Sequence, residues 1–214
     1  MLLQMQCTLY RERIEMTEYS TMRDIVGLGH KAANLSEAAL ILIDCQNTYR
    51  QGIMQLTGVE DAIKEARRLL TAARELKTPI FHIQHDSGPG SLYDIRAAIG
   101  AISAEVEPIS GEIVITKKYP NSFIKTDLED QLKALGIQKV ILAGFMTHMC
   151  INSTAQGAFN LGFAPTVVAN ATASRPLTSV AREVLPAHTV HLAALATIRD
   201  LFGVVVETTD QVAQ

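Results

Sequence analysis

Six short apolar runs, spaced along the chain and separated by turns and helical segments, constrain this sequence more than any other feature. ALILIDCQN begins at Ala39, PIFHIQH at Pro79, EIVITKK at Glu112, VILAG at Val140, PTVVAN at Pro165 and GVVVE at Gly203. Most do not alternate apolar with polar, so both faces of each strand must be covered, as in a parallel sheet between helical layers. The intervening segments supply those layers. VEDAIKEARRLLTAARELK, Val59 to Lys77, carries apolar residues at helical spacing. TDLEDQLKALG, Thr126 to Gly136, reads as a helix with Thr126 as N-cap and a terminal glycine. INSTAQGAFNLG, Ile151 to Gly162, is the next, and residues 177–202 read as helical with a break at Pro186. The expected fold is α/β, a three-layer α/β/α sandwich around a six-stranded parallel sheet.

With 48% hydrophobic and 19% charged residues, the 214-residue chain can bury one sizeable core, which argues against disorder. Residues 1–37 are expected to form an N-terminal extension or arm, and residues 38–214 one domain. A net charge of −3 gives nucleic acid no basic face to bind. No apolar run is long enough to span a membrane, and the charged start, MLLQMQCTLYRERIEM, does not read as a signal peptide. Cys7, Cys45 and Cys150 form neither a disulfide framework nor a zinc knuckle, which points to a reducing cytoplasm.

In a sheet of this kind ligands bind beyond the carboxyl ends of the strands. Asp44 and Lys117 end the first and third predicted strands, and Cys150 follows the fourth in the run GFMTHMC. Singly, each has an ordinary explanation: a strand-end cap, a solvated cation, a small buried hydrophobe. Together they would meet in one crevice. There a helix start favours a thiolate, Asp44 is a plausible proton acceptor, and the Lys117 ammonium steadies both charges.

These blocks resemble the isochorismatase-like cysteine hydrolases, a family that includes nicotinamidases. ALILIDCQNTY resembles its first-strand block. EIVITKKYPNSFIKTDLEDQLKALGI resembles its lysine block, whose spacing to Phe123 selects Lys117 over Lys118. VILAGFMTHMCINSTAQGAFNLGF resembles its nucleophile block. The resemblance implies the Rossmann-like fold of that family and an Asp44–Lys117–Cys150 triad. It also implies a cis peptide at Phe145–Met146 and an oxyanion hole from the Met146 and Cys150 N–H groups. It departs from the family at Thr48 and at Asn170–Ala171, where aspartate is common, and neither position touches the triad. Family members commonly assemble, so a homo-oligomer is expected, with the N-terminal arm free to join an interface.

Nicotinamidases hold a metal through an Asp-x-His pair, which FHIQHDSGPGSLYD lacks. His82 and His85 stand three apart, on opposite faces of a strand, so no metal and no cofactor is expected. His82 reads as a packed strand residue; Tyr49, His85 and Phe123 are candidate pocket residues, with core or surface roles open for each. His148, His188 and His191 lack ligand spacing. GLGHKA, Gly27 to Ala32, matches a dinucleotide pattern but lies too close to the first strand for a crossover helix. The leading reading is hydrolysis of a C–N bond in a small amide. The alternatives are a vinyl ether hydrolase of the isochorismatase type and a silent binding or redox protein.

Overall fold

The strands pair as a six-stranded parallel sheet in the order β3-β2-β1-β4-β5-β8. They are β1 Ala39–Ile43, β2 Ile80–His85, β3 Ile113–Lys117, β4 Lys139–Phe145, β5 Ala164–Ala173 and β8 Val204–Val206. This is a computed structural model, and it describes residues 20–213. The first part of the expected N-terminal arm, with Cys7, lies outside the described residues. Residues 20–37 pack onto the body: Ala33 N–H donates to Thr166 Oγ1 and Leu35 N–H to the Val212 carbonyl. GLGHKA follows a four-residue helix, α1 (Met22–Ile25), and no helix starts within it.

The sheet is covered on both faces, as the unbroken apolar runs require. On one face Leu40 and Leu42 meet α2 (Val59–Glu75), whose Ala62, Ile63, Ala66, Leu69, Leu70 and Ala73 form one buried stripe. On the other, Ala39, Ile41 and Ile43 meet α3 (Leu128–Ala134), α4 (Asn152–Asn160) and the end of α5 (Ala187–Thr197). The three-layer sandwich expected from the sequence is the one observed.

Three local expectations need correction. Residues 177–185 are not helical: Leu177–Thr178 (β6) and Val184–Leu185 (β7) form an antiparallel hairpin, and α5 begins only after Pro186. Pro176 and Pro186 bracket the segment, and Arg182 takes a left-handed φ of 63° in the turn between the strands. The helix expected from Thr126 has Asp127 as N-cap; the Thr126 hydroxyl donates to the Ser122 carbonyl at 2.6 Å and accepts from the Leu128 N–H at 3.5 Å. β5 runs past Asn170 to Ala173, with an irregular register against β4 between Leu142 and Gly144.

At that irregularity Gly144 has φ 116°, and a Cβ there would lie 2.0 Å from the Ile43 carbonyl oxygen. Only glycine lets the ends of β1 and β4 approach so closely. Strand order reverses between these two neighbours, so the ligand crevice of such a sheet opens at this point.

His82 is buried in β2, and its Nε2 meets Glu112 Oε2 at 2.8 Å. Burial alone would raise the Glu112 pKa, but hydrogen bonds from Arg74, the Ile109 N–H and His82 outweigh it and hold the carboxyl down to about 2. A depressed carboxylate stabilises the fold above its unfolded pKa of about 4.3, and that contribution disappears as pH falls through the folded value. Glu112→Gln is therefore expected to lose about 3 kcal/mol at pH 7, and the two proteins should converge near pH 2. Urea denaturation at several pH values checks this; a gap independent of pH would contradict it.

Candidate active site

Asp44 follows β1 with φ 50°, a left-handed conformation that aspartate tolerates better than most residues. Its N–H still donates to the Ile83 carbonyl, so the residue leaves the ladder only after that bond. Lys117 is the last residue of β3, in register with His85 of β2. β3 stands two strands from β1, a gap of about 9–10 Å, so only a long side chain can cross β2 to reach Asp44. Cys150 lies in a π turn, Thr147–Ile151, that joins β4 to α4. The Phe145–Met146 peptide just before it is cis, and the Met149 and Ile151 N–H groups both donate to the Met146 carbonyl.

The loop after β3 docks on α4. Ser122 binds Thr154 through both its N–H and its hydroxyl, at 3.1 and 2.9 Å. Asn121 packs so closely on Gly157 that a Cβ there would lie 2.5 Å from its amide nitrogen. The loop after β3 and the helix after β4 are thus fixed to each other beside Lys117 and Cys150.

The three side chains converge. Lys117 Nζ is 2.7 Å from Asp44 Oδ2 and 3.4 Å from Cys150 Sγ. Asp44, Lys117 and Cys150 are only 0%, 1% and 4% exposed, so these charges interact with little help from water. Neither Asp44 oxygen receives a hydrogen bond of good geometry; Nζ holds Oδ2 as an ion pair, and the thiol is close enough to interact with the carboxyl.

Burial governs the proton affinities. It lifts Asp44 above the usual carboxylate range against the pull of Lys117. It would lower Lys117, but Asp44 and Cys150 outweigh it and hold the ammonium charged. Burial, reinforced by Asp44, also pushes the Cys150 thiol well above its ordinary value. Burial thus works against the thiolate that a helix start favours. Cys150 sits inside the turn, shielded from water and beside a carboxylate, and the single neighbouring cation does not offset both effects.

Tyr49 is buried, and its ring meets Phe145 and Tyr93 edge-on at 5.9 and 5.8 Å. Asp44 and Cys150 help to raise its pKa, after burial, which places it beside the cluster. His85 is half-buried, with Nδ1 3.4 Å from Lys117 Nζ. Phe123 shares an apolar cluster with Cys150, but its ring stacks on Phe163 at 5.8 Å, a core contact. Among the described residues no group of three or more His, Cys, Asp or Glu is arranged to hold a metal ion.

Two residues at the site escaped the sequence reading. Tyr93, in the loop after β2, packs on His85 at 4.9 Å and feels the charges of Cys150, Asp44 and Lys117. Gln46, fully buried, bonds His85 through both its N–H and its carbonyl and also reaches the Gly100 carbonyl at 2.6 Å. The Gly/Pro-rich loop at a strand's carboxyl end was the available signal for Tyr93. Nothing local marked Gln46, whose partners are 39 and 54 residues away.

Comparison with known proteins agrees with this geometry. The Isochorismatase domain family matches residues 38–210. The secreted isochorismatase effector Isc1 of Verticillium dahliae is 30% identical over 192 residues, covering 89% of this chain and 98% of that protein. A maleamate amidohydrolase of Pseudomonas putida is 31% identical over 160 residues, covering 67% of this chain and 72% of its own length. The crystal structure of an isochorismatase from Pseudomonas putida superposes with a TM-score of 0.86 at 36% identity, covering 89% of this chain and 98% of that one. The chain belongs to the isochorismatase family, and it is a hydrolase.

Proposed function

We propose that this protein is a cysteine hydrolase that cleaves the C–N bond of a small amide through a thioester, using Asp44, Lys117 and Cys150. The observation that carries the reading is the buried contact of Nζ with both Asp44 and Cys150, at 2.7 and 3.4 Å. The likeness to a maleamate amidohydrolase supports the amide.

In this mechanism the thiol is neutral until substrate binds. Asp44, whose raised pKa makes it a stronger acceptor, takes the thiol proton as sulfur attacks the carbonyl carbon. The carbonyl π pair moves onto oxygen, and the Met146 and Cys150 N–H groups hold the oxyanion. Collapse expels the nitrogen with the proton that Asp44 returns, leaving an acyl thioester. Water then attacks this acyl carbon, giving one proton to Asp44. The acid leaves, and the proton goes back to sulfur. Lys117 stays charged throughout and holds Asp44 and the sulfur in register.

A panel of primary amides, ureas and isochorismate tests the reaction class. A trapped acyl-enzyme of the expected mass on Cys150 supports the reading. Turnover of isochorismate alone, unchanged in Cys150→Ala, favours vinyl ether hydrolysis, the chemistry suggested by the isochorismatase effector.

Residues 38–214 are the catalytic domain in this reading and residues 1–37 an extension. The protein is expected to be cytoplasmic, where its thiol stays reduced, and to form a homo-oligomer. Light scattering checks the last point, and a monomer at micromolar concentration would refute it.

A further inference from the structure

We propose that His85 is a positioning residue whose neutral Nδ1 accepts from the Lys117 ammonium and, with the Asp44 ion pair and the Cys150 contact, fixes it in place. This rests on the triad reading above and adds a part to it. A lysine ammonium has three N–H donors and accepts nothing. Lys117 Nζ has three partners: Asp44 Oδ2 at 2.7 Å, Cys150 Sγ at 3.4 Å and His85 Nδ1 at 3.4 Å. Without His85, one donor of a side chain that is 0% exposed would lack an acceptor, and the ammonium would be free to turn away from sulfur.

The fold holds this histidine from every side. Gln46 clamps its backbone, accepting from His85 N–H at 2.8 Å and donating to its carbonyl at 3.0 Å. Tyr93 packs edge-on against the ring at 4.9 Å. Nε2 lies 3.1 Å from Ser87 Oγ. Because Nδ1 faces an ammonium, it must carry the lone pair. The ring proton therefore sits on Nε2 and is donated to Ser87. A second proton on the ring would set two cations 3.4 Å apart and remove the acceptor.

The charged and titratable groups facing the ring are Lys117 from β3, Asp44 from β1, and Asp86 and Tyr93 from its own loop. Burial and then Lys117 lower its pKa, against Asp44 and Asp86, so the ring is neutral at pH 7 and protonates only in acid. The consequence is an acid limit on activity set by His85, separate from the titration of Asp44.

The test uses the full chain, its alanine variant and His85→Gln, whose side-chain carbonyl can accept from Lys117 but cannot titrate. Histidine nitrogen NMR should find the His85 proton on Nε2. Lysine 15Nζ spectra should show a protected Lys117 ammonium. Hydrogen exchange of that ammonium should quicken about tenfold in His85→Ala and return to within about threefold of wild type in His85→Gln. For the best amide of the panel, kcat should fall about tenfold in His85→Ala with KM little changed. His85→Gln should recover kcat and lose the part of the acid limb that His85 sets, leaving the part set by Asp44.

A proton on Nδ1, equal ammonium protection in His85→Ala, or no rescue by glutamine overturns the proposal. So does an acid limb that persists unchanged in His85→Gln. If the NMR results hold while Cys150→Ala keeps full amidase activity, the triad reading has failed and the His85 contact has not.

Discussion

Cys150→Ala is expected to lower kcat for amide hydrolysis by about 10⁴-fold or more, while the protein stays folded. The side chain is 4% exposed and small, so removing its sulfur leaves a minor cavity, and the Asp44–Lys117 ion pair remains. What disappears is the sulfur on which the proposed mechanism forms the thioester. The residual rate would come from oriented binding and the proposed oxyanion donors. Steady-state kinetics with a thermal melt for each protein checks both halves. Activity within tenfold of wild type would rule out covalent catalysis by this cysteine.

Lys117→Met should lose both activity and stability. It leaves the Asp44 carboxyl 0% exposed with no cation in contact, a loss that typically costs about 3–5 kcal/mol when one partner of a buried pair is removed. Asp44 can reduce that cost only by taking up a proton, since burial already raises its pKa and the chief opposing group would be gone. Protonated, it cannot accept the proton of the thiol, so activity should fall about 10³-fold or more. Adding Asp44→Asn in the same chain removes the uncompensated charge. The double variant should regain most of the stability and none of the activity. Urea denaturation of both single variants and the double closes the cycle. A Lys117→Met protein as stable as wild type would mean that the ion pair is not carrying the site.

How much of this was legible beforehand depended on the range of the interactions. The unbroken apolar runs of ALILI and VILAG required a sheet covered on both faces, and β1 and β4 are buried along nearly their whole length. The stripe on α2 could be read from residue spacing, because a helix fixes which side chains share a face. The hairpin at Leu177–Leu185 could not. Its sequence is compatible with a helix, and only Pro176 and Pro186, which bracket it, argue otherwise. Tyr93 lies in a loop, where periodicity says nothing about direction. Gln46 stands within the first-strand block, but its purpose is visible only when its partners at His85 and Gly100 are in place.

The sequence by itself determined the strand types, their order along the chain and the residues at their carboxyl ends. These follow from local pattern and from a resemblance carried by three short blocks. Only the tertiary structure decided that β1 lies between β2 and β4, which puts Asp44 beside the Cys150 turn and makes Lys117 reach across β2. It also set burial against the thiolate that the local sequence favours. A nearby helix start and lysine argue for a thiolate, but the energy of a charge depends on how much water surrounds it. That is set by burial among residues from across the chain, which pushes the Cys150 thiol up in a site whose parts the sequence named without their environment.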